Sequence, residues 1–264
     1  MKQFGWVVAA VVVGLGISGC KSDKAAQPGD AGSSAAPAPA QTTTLDPATL
    51  GSITGVVHLS GKIPTPIKID MTMDPACGMS GGGDNFSEQY VGKSGGLGNV
   101  FVYVKSGPAA AMAYQPTPGA PVVMDQKGCR YTPHVIAVAK GGSVEFRNSD
   151  VTMHNIHTMP VTVGSSPIDI SQGPKGTPQV KQFNLVESMI PVRCNNHPWM
   201  NAFINVSATP FFAVSAPDGT FTIPGLPAGD YTLGAVQEKL GEQTLQVTVK
   251  AQTASKADLS YTMQ

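Results

Sequence analysis

From residue 53 onward the chain is a succession of short apolar runs separated by clusters of Gly, Pro, Asn and Asp. The runs lie at 53–59, 100–104, 135–139, 144–147, 203–206, 211–214, 221–223, 231–236 and 245–249. Runs of this length, bounded by turn formers, fit strands and are too short for packed helices. The 30 glycines and 22 prolines among 264 residues act in the same direction, because both weaken helix interiors. Only the Ala-rich stretch at 109–113 hints at a helical turn. Asp218-Gly219 lies between two runs, where this pair predicts a hairpin. Strands at this spacing predict an all-β fold, sandwich or barrel. The length allows one large or two ordinary domains with a real core.

Charge narrows the function. Lys+Arg and Asp+Glu balance at 17 each, and only 13% of residues are charged. There is no basic field to hold nucleic acid and no acidic solvating tail.

Two segments carry chemistry, GGSVEFRNSDVTMHNIHTM (141–159) and VRCNNHPWMNAFINV (192–206). The first runs through a strand and a polar turn into His154-Asn155. The second places Cys194, His197 and Met200 at intervals of three. A thiolate, two imidazoles and a thioether form a soft donor set, and a trigonal His₂Cys site with a long axial Met is the blue-copper arrangement. On a strand, residues three apart face opposite sides, so these three donors need a tight loop closing one end of a barrel. Pro198 stiffens that loop. His154 must then arrive from the end of another strand. His157, three positions on, faces away from it and reads as a non-ligand. Cys-x-x-His is also half of a zinc site, and Cys194 with His197 can also be read as nucleophile and base. The spacing of Met200 and the presence of His154 favour copper ligation.

These segments resemble the small cupredoxins, amicyanin and plastocyanin in particular, over roughly residues 128–207. The resemblance rests on Asn148, His154-Asn155 and, forty positions after His154, the run Cys194, His197, Pro198, Trp199 and Met200. It implies a Greek-key β-sandwich or barrel with one type 1 copper held by His154, Cys194, His197 and Met200. Asn155 would tie the two ligand loops together by hydrogen bonds. It further implies one-electron transfer rather than catalysis. His197 would be an exposed edge in an apolar patch, and a cytochrome or a periplasmic oxidoreductase would dock there, near Trp199. Asn196 stands where amicyanin has proline, a departure that bears on hydrogen bonding to the Cys194 sulfur.

The C-terminal stretch resembles the carboxypeptidase-regulatory-like, transthyretin-like β-sandwich family. Asp218-Gly219-Thr220-Phe221 and Gly225-Leu226-Pro227-Ala228-Gly229-Asp230-Tyr231 carry the likeness. The family's opening strands look like Thr54-Gly55-Val56-Val57 and Gly98-Asn99-Val100-Phe101-Val102-Tyr103-Val104, about a hundred residues upstream. The implied arrangement is one sandwich built from residues 51–115 and 208–264, with the cupredoxin-like domain, 116–207, inserted between its strands. Insertion is tolerated where the ends of the guest lie close together. Three modules in a row is the alternative, and the first would then be a marginal, incomplete sheet. Fold alone also allows the sandwich to be a carbohydrate-binding-like interaction module.

The N-terminus reads as a leader. Lys2 is followed by an apolar run at 4–17, too short for a spanning helix, ending in Ile17-Ser18-Gly19-Cys20. This ending resembles a bacterial lipobox. The resemblance implies removal of residues 1–19, lipid on Cys20, and a membrane anchor on the periplasmic side. Residues 20–50, rich in Ala, Pro, Gly, Ser and Thr, read as a disordered tether. With Cys20 given to lipid and Cys194 to metal, Cys77 and Cys129 remain. An exported protein rarely leaves two thiols free, so a Cys77–Cys129 disulfide is expected. The rival is a second copper site from Met71, Met73, Cys77 and Met79, since thioethers favour Cu(I). A copper-storage role without electron transfer is the alternative function. Gly78-Met79-Ser80-Gly81-Gly82 matches the G-x-S-x-G nucleophile pattern but lacks the strand-to-helix context it needs.

Overall fold

The computed structural model describes residues 44–80 and 85–263. The leader, Cys20, the tether up to residue 43, and Gly81-Gly82 of the G-x-S-x-G pattern lie outside the described residues. The fold is all-β. Apart from two short helices, Pro75–Ser80 and Ala109–Ala113, and a 3-10 turn, Pro47–Thr49, the regular structure among the described residues is strand.

Strand Leu50–Ser60 organises one sandwich. Its neighbours are Thr220–Pro227 and Gly96–Leu97, both antiparallel, and Ala254–Lys256 and Leu259–Thr262, both parallel. The facing sheet runs in the order Phe212–Val214, Phe101–Ser106, Gly229–Gln237, Gly241–Val249. Alternate residues point inward, as a half-buried strand requires. Ile53, Val57, Val102, Val104, Ile223 and Leu233 belong to the resulting core, together with Tyr231 and Tyr261. The two tyrosine hydroxyls donate to the carbonyls of Pro227, at 2.6 Å, and Ala235, at 2.7 Å, so their burial strands no polar group. Gly55 permits the close approach of the C-terminal segment. A Cβ there would lie 2.0 Å from the Ala257 carbonyl oxygen.

The second sandwich lies between these strands in sequence. Its five-stranded sheet runs Asp169–Gln172, His154–Thr158, Glu187–Arg193, Asn201–Ser207, Val135–Ala139. Its four-stranded sheet runs Gln179–Gln182, Ser143–Asn148, Val122–Gln126, Tyr131–Thr132. Val135–Ala139 pairs parallel with Asn201–Ser207, and Val122–Gln126 parallel with Ser143–Asn148, so both sheets contain crossovers. Met124, Phe146, Ile156, Val192, Ile204 and Val206 belong to the core, and Cys194 and Met200 join it.

Three differences from the sequence reading have physical causes. The Asp218-Gly219 turn forms, with Gly219 at φ +82° and the Asp218 carboxylate accepting from the Thr220 N–H at 3.1 Å. It does not make a hairpin, because Phe212–Val214 and Thr220–Pro227 belong to different sheets. The Gly219 carbonyl instead accepts from the Val57 N–H at 2.8 Å, which commits the chain to strand Leu50–Ser60. Ile69, Met71 and Cys77, which the sequence reading assigns to the first sandwich, pack on the core of the second. The Cys77–Cys129 disulfide holds that segment there. Strand Glu187–Arg193 was hidden by Pro191 and by a bulge, with Met189 at φ +54°. The Met189 N–H donates to the Asn205 side chain at 2.8 Å, so the bulge keeps its backbone partner.

Candidate metal centre

His154 opens strand His154–Thr158 and is reached through a turn knotted by Asn148. The Asn148 amide donates to the carbonyls of Thr152, Gln172 and Gly173 at 3.0, 3.0 and 2.8 Å, and its oxygen accepts from the Asp150 N–H at 3.0 Å. This fixes Asp150 against His154, with Oδ2 2.9 Å from Nε2. The Gly128 and Cys129 N–H groups donate to the same carboxylate at 2.7 and 2.8 Å.

The second segment is a closed loop between two paired strands. The Met200 N–H donates to the His197 carbonyl at 2.9 Å, and the Cys194 N–H reaches the Met200 carbonyl at 3.4 Å. Cys194 and His197 are thereby turned to the same side. The Sγ of Cys194 is 3.5 Å from His197 Nδ1, and the two histidine Nδ1 atoms are 3.0 Å apart. Donor atoms of His154, Cys194 and His197 all lie within 4.8 Å of one another, and all three residues are buried. Met200 is 1% exposed and sits in the same loop. His157 lies apart from this group and meets the Asn195 side chain at 3.1 Å.

Asn155 bridges the two ligand segments. Its N–H donates to Cys194 Sγ at 3.3 Å, and its side-chain oxygen accepts from the Asn195 N–H at 3.3 Å. Its amide is oriented by Asp169 at 2.7 Å and the Ile170 carbonyl at 3.1 Å.

These contacts set the ionisation of the site. Burial opposes the thiolate of Cys194. Hydrogen bonds from His154, from the Asn196 and Asn155 N–H groups and from His197 outweigh it and lower the pKa to about 6. Asn196, unlike a proline, keeps the N–H that serves the sulfur. Burial likewise opposes a charged His154, but Asp150 and the Cys194 sulfur raise its pKa to about 9. Asp74 is lowered to about 2, chiefly by its hydrogen bond with His197.

The sequence reading missed Asp74 and Asp150. Asp150 had a local signal, an acid in the turn four residues before an imidazole. Asp74 had none. Its Oδ2 lies 2.9 Å from His197 Nε2, and it comes from the segment that the disulfide fastens beside the centre. As a result His197 is only 3% exposed, which corrects the implied exposed edge. Trp199 is partly buried, its ring centroid 5.1 Å from that of His197, with its N–H on the Cys129 carbonyl at 3.1 Å. The second copper cluster does not assemble. Met71 is a 5% exposed core residue, Cys77 is in the disulfide, and Met73 and Met79 are 73% and 82% exposed.

The donor set fits copper. A thiol already inclined to ionise, two imidazoles whose Nδ1 atoms converge beside it, and a thioether in the same loop match the ligand types of a His₂Cys(Met) site. In both histidines Nε2 faces a carboxylate and Nδ1 is directed inward.

No family model matches the chain. No curated protein matches it. Solved structures similar to part of it include the copper-containing nitrite reductase from Thermus scotoductus, at 26% identity and a TM-score of 0.30. That match covers 39% of this chain and 27% of the reductase, so the chain spans about a quarter of that protein's length. Amicyanin from Paracoccus versutus is 22% identical over 40% of this chain and 97% of its own, with a TM-score of 0.30. The Cu(I) form of an amicyanin mutant is 18% identical over 40% of this chain and 98% of its own, again with a TM-score of 0.30.

Proposed function

We propose that the chain is an exported, membrane-anchored copper protein that carries single electrons between redox partners and is not an enzyme. One copper would be held by His154, Cys194, His197 and Met200. The observation that carries this reading is the buried convergence of a low-pKa thiol and two imidazoles within 4.8 Å. When bound, the copper would supply reversible one-electron chemistry. The chain's own residues hold the donors in place. Asn155 ties the loops, Asp150 and Asp74 orient the rings, and the surrounding core excludes water. The lipobox-like ending at Cys20 supports anchoring on the periplasmic side, and the Cys77–Cys129 disulfide suits an oxidising compartment.

A redox partner, a cytochrome or a periplasmic oxidoreductase, would dock over the covered centre rather than on His197 itself. Met73, Val151 and Met153, next in sequence to Asp74, Thr152 and His154, are exposed apolar residues that such a partner would meet. Electron-transfer encounters are small, and such a patch suffices.

A second reading, copper storage without electron transfer, is favoured by one observation, the burial of His197. The test is the visible spectrum of the protein with one equivalent of Cu(II), beside Cys194→Ala. A strong band near ~600 nm that the variant lacks is expected for a thiolate–copper site of this type. A colourless protein that still takes up Cu(I) would turn the reading to storage.

A further inference from the structure

The wall over His197 does not come from the strands and loops that supply the donors. It is built by residues 70–80, which lie in sequence between strands Leu50–Ser60 and Gly96–Leu97 of the other sandwich. Four contacts pin it. Cys77 is bonded to Cys129, and Met71 is buried in the second core. The Thr152 hydroxyl donates to Asp74 Oδ2 at 2.9 Å, and His197 Nε2 meets the same oxygen at 2.9 Å. Within the segment, Asp74 Oδ1 accepts from the Ala76 N–H at 2.7 Å and its carbonyl accepts from the Gly78 N–H at 2.9 Å. Both carboxylate oxygens are therefore committed, and the carboxylate is held rather than free to swing.

We propose that Asp74 is the positioning residue for His197, and that its negative charge biases the centre toward Cu(II). The second half of this statement rests on the copper reading above; the first half does not. A carboxylate at Nε2 engages that nitrogen's N–H, which leaves Nδ1, 3.5 Å from the Cys194 sulfur, as the nitrogen open to a metal ion. Asp150 likewise engages Nε2 of His154, from within the turn that precedes it. Both imidazoles thus present the same nitrogen, which a single metal ion needs. Hydrogen bonding to an anion also makes an imidazole a stronger donor. A stronger donor and an added negative charge favour the more highly charged metal ion. Asp74 brings these effects from a distant part of the chain, and the disulfide keeps them in place.

The test uses the whole protein and the variants Asp74→Asn and Asp74→Ala, with near-ultraviolet circular dichroism and free-thiol counts confirming that each is folded and disulfide-bonded. In the metal-free protein, nitrogen-15 chemical shifts of His197 should report the proton on Nε2, and Asp74→Ala should give a mixture of tautomers. In the copper-loaded protein, Asp74→Asn should keep the visible band but weaken Cu(II) relative to Cu(I) roughly tenfold. For a one-electron couple that is a rise in potential of about 59 mV. Unchanged tautomer and unchanged potential in both variants would overturn the proposal. Absence of copper binding by the unaltered protein would sink the copper reading and the bias toward Cu(II), while the tautomer measurement would still decide the positioning role.

Discussion

Asp74 Oδ2 and His197 Nε2 lie 2.9 Å apart although 123 positions separate them in the chain. The contact exists because the Cys77–Cys129 disulfide, three residues from Asp74, ties one segment to the other sandwich.

Replacing Cys77 and Cys129 by alanine should lower stability by roughly 2–4 kcal/mol, since the bridge closes a loop across 52 positions. Urea unfolding of the double variant measures this. Limited proteolysis should also cut within residues 70–80 faster than in the oxidised parent.

In the metal-free protein the ultraviolet absorbance of the Cys194 thiolate should titrate with a midpoint of about 6, against 9.0 for an ordinary thiol. Asp150→Asn removes the group that keeps His154 charged, and a neutral His154 supports the thiolate less. The midpoint should therefore move up in that variant. A midpoint that moves down, or stays at its parental value, would contradict the arrangement.

His157 and His154 lie on the same strand but only His154 joins the donor group. His157→Ala should leave the copper band in place, and His154→Ala should abolish it. Absorption spectra of the two variants, read side by side, check the assignment.

Gly55→Ala should cost about 1–3 kcal/mol, because its Cβ would meet the Ala257 carbonyl oxygen at 2.0 Å and push a parallel neighbour off the strand. Gly78→Ala makes the contrast. The nearest atoms there are 4.0 Å away, and alanine suits helix Pro75–Ser80, so stability should hold or rise slightly. Thermal unfolding of both variants decides this.

The β class was legible because every apolar run marked in the sequence became part of a strand, and 109–113 became the short helix. The tight loop that turns Cys194 and His197 to one side was legible because their spacing is local. His154 could be placed because a polar turn ends a strand just before it. The strands Asp169–Gln172 and Gln179–Gln182 were not legible, since their sequences DISQ and QVKQ carry little apolar signal. They are held by ladder pairing and by buried amides, as in the 2.7 Å bond from Gln126 to Gln172. The covering of His197 was not legible either. The resemblance to small electron carriers implies an open edge, and nothing within a few residues of Asp74 marks it as a partner of a histidine so far along the chain.

The parallel pairing of Leu50–Ser60 with Ala254–Lys256 and Leu259–Thr262 bears on the order of assembly. Contacts that close loops of about two hundred residues form slowly, since that loop entropy must be met before the contact gains anything. The strand that organises the first sandwich must wait for chain some 200 positions later, as with the Val56 N–H that ends on the Asp258 carboxylate, 202 residues away. The ladders around His154, Cys194 and His197 are complete by Ser207. During synthesis the pocket of His154, Cys194 and His197 can therefore take shape while strand Leu50–Ser60 still lacks its partners Thr220–Pro227, Ala254–Lys256 and Leu259–Thr262, and a chain cut short after residue 250 would lose the two parallel partners before it lost any of these three residues.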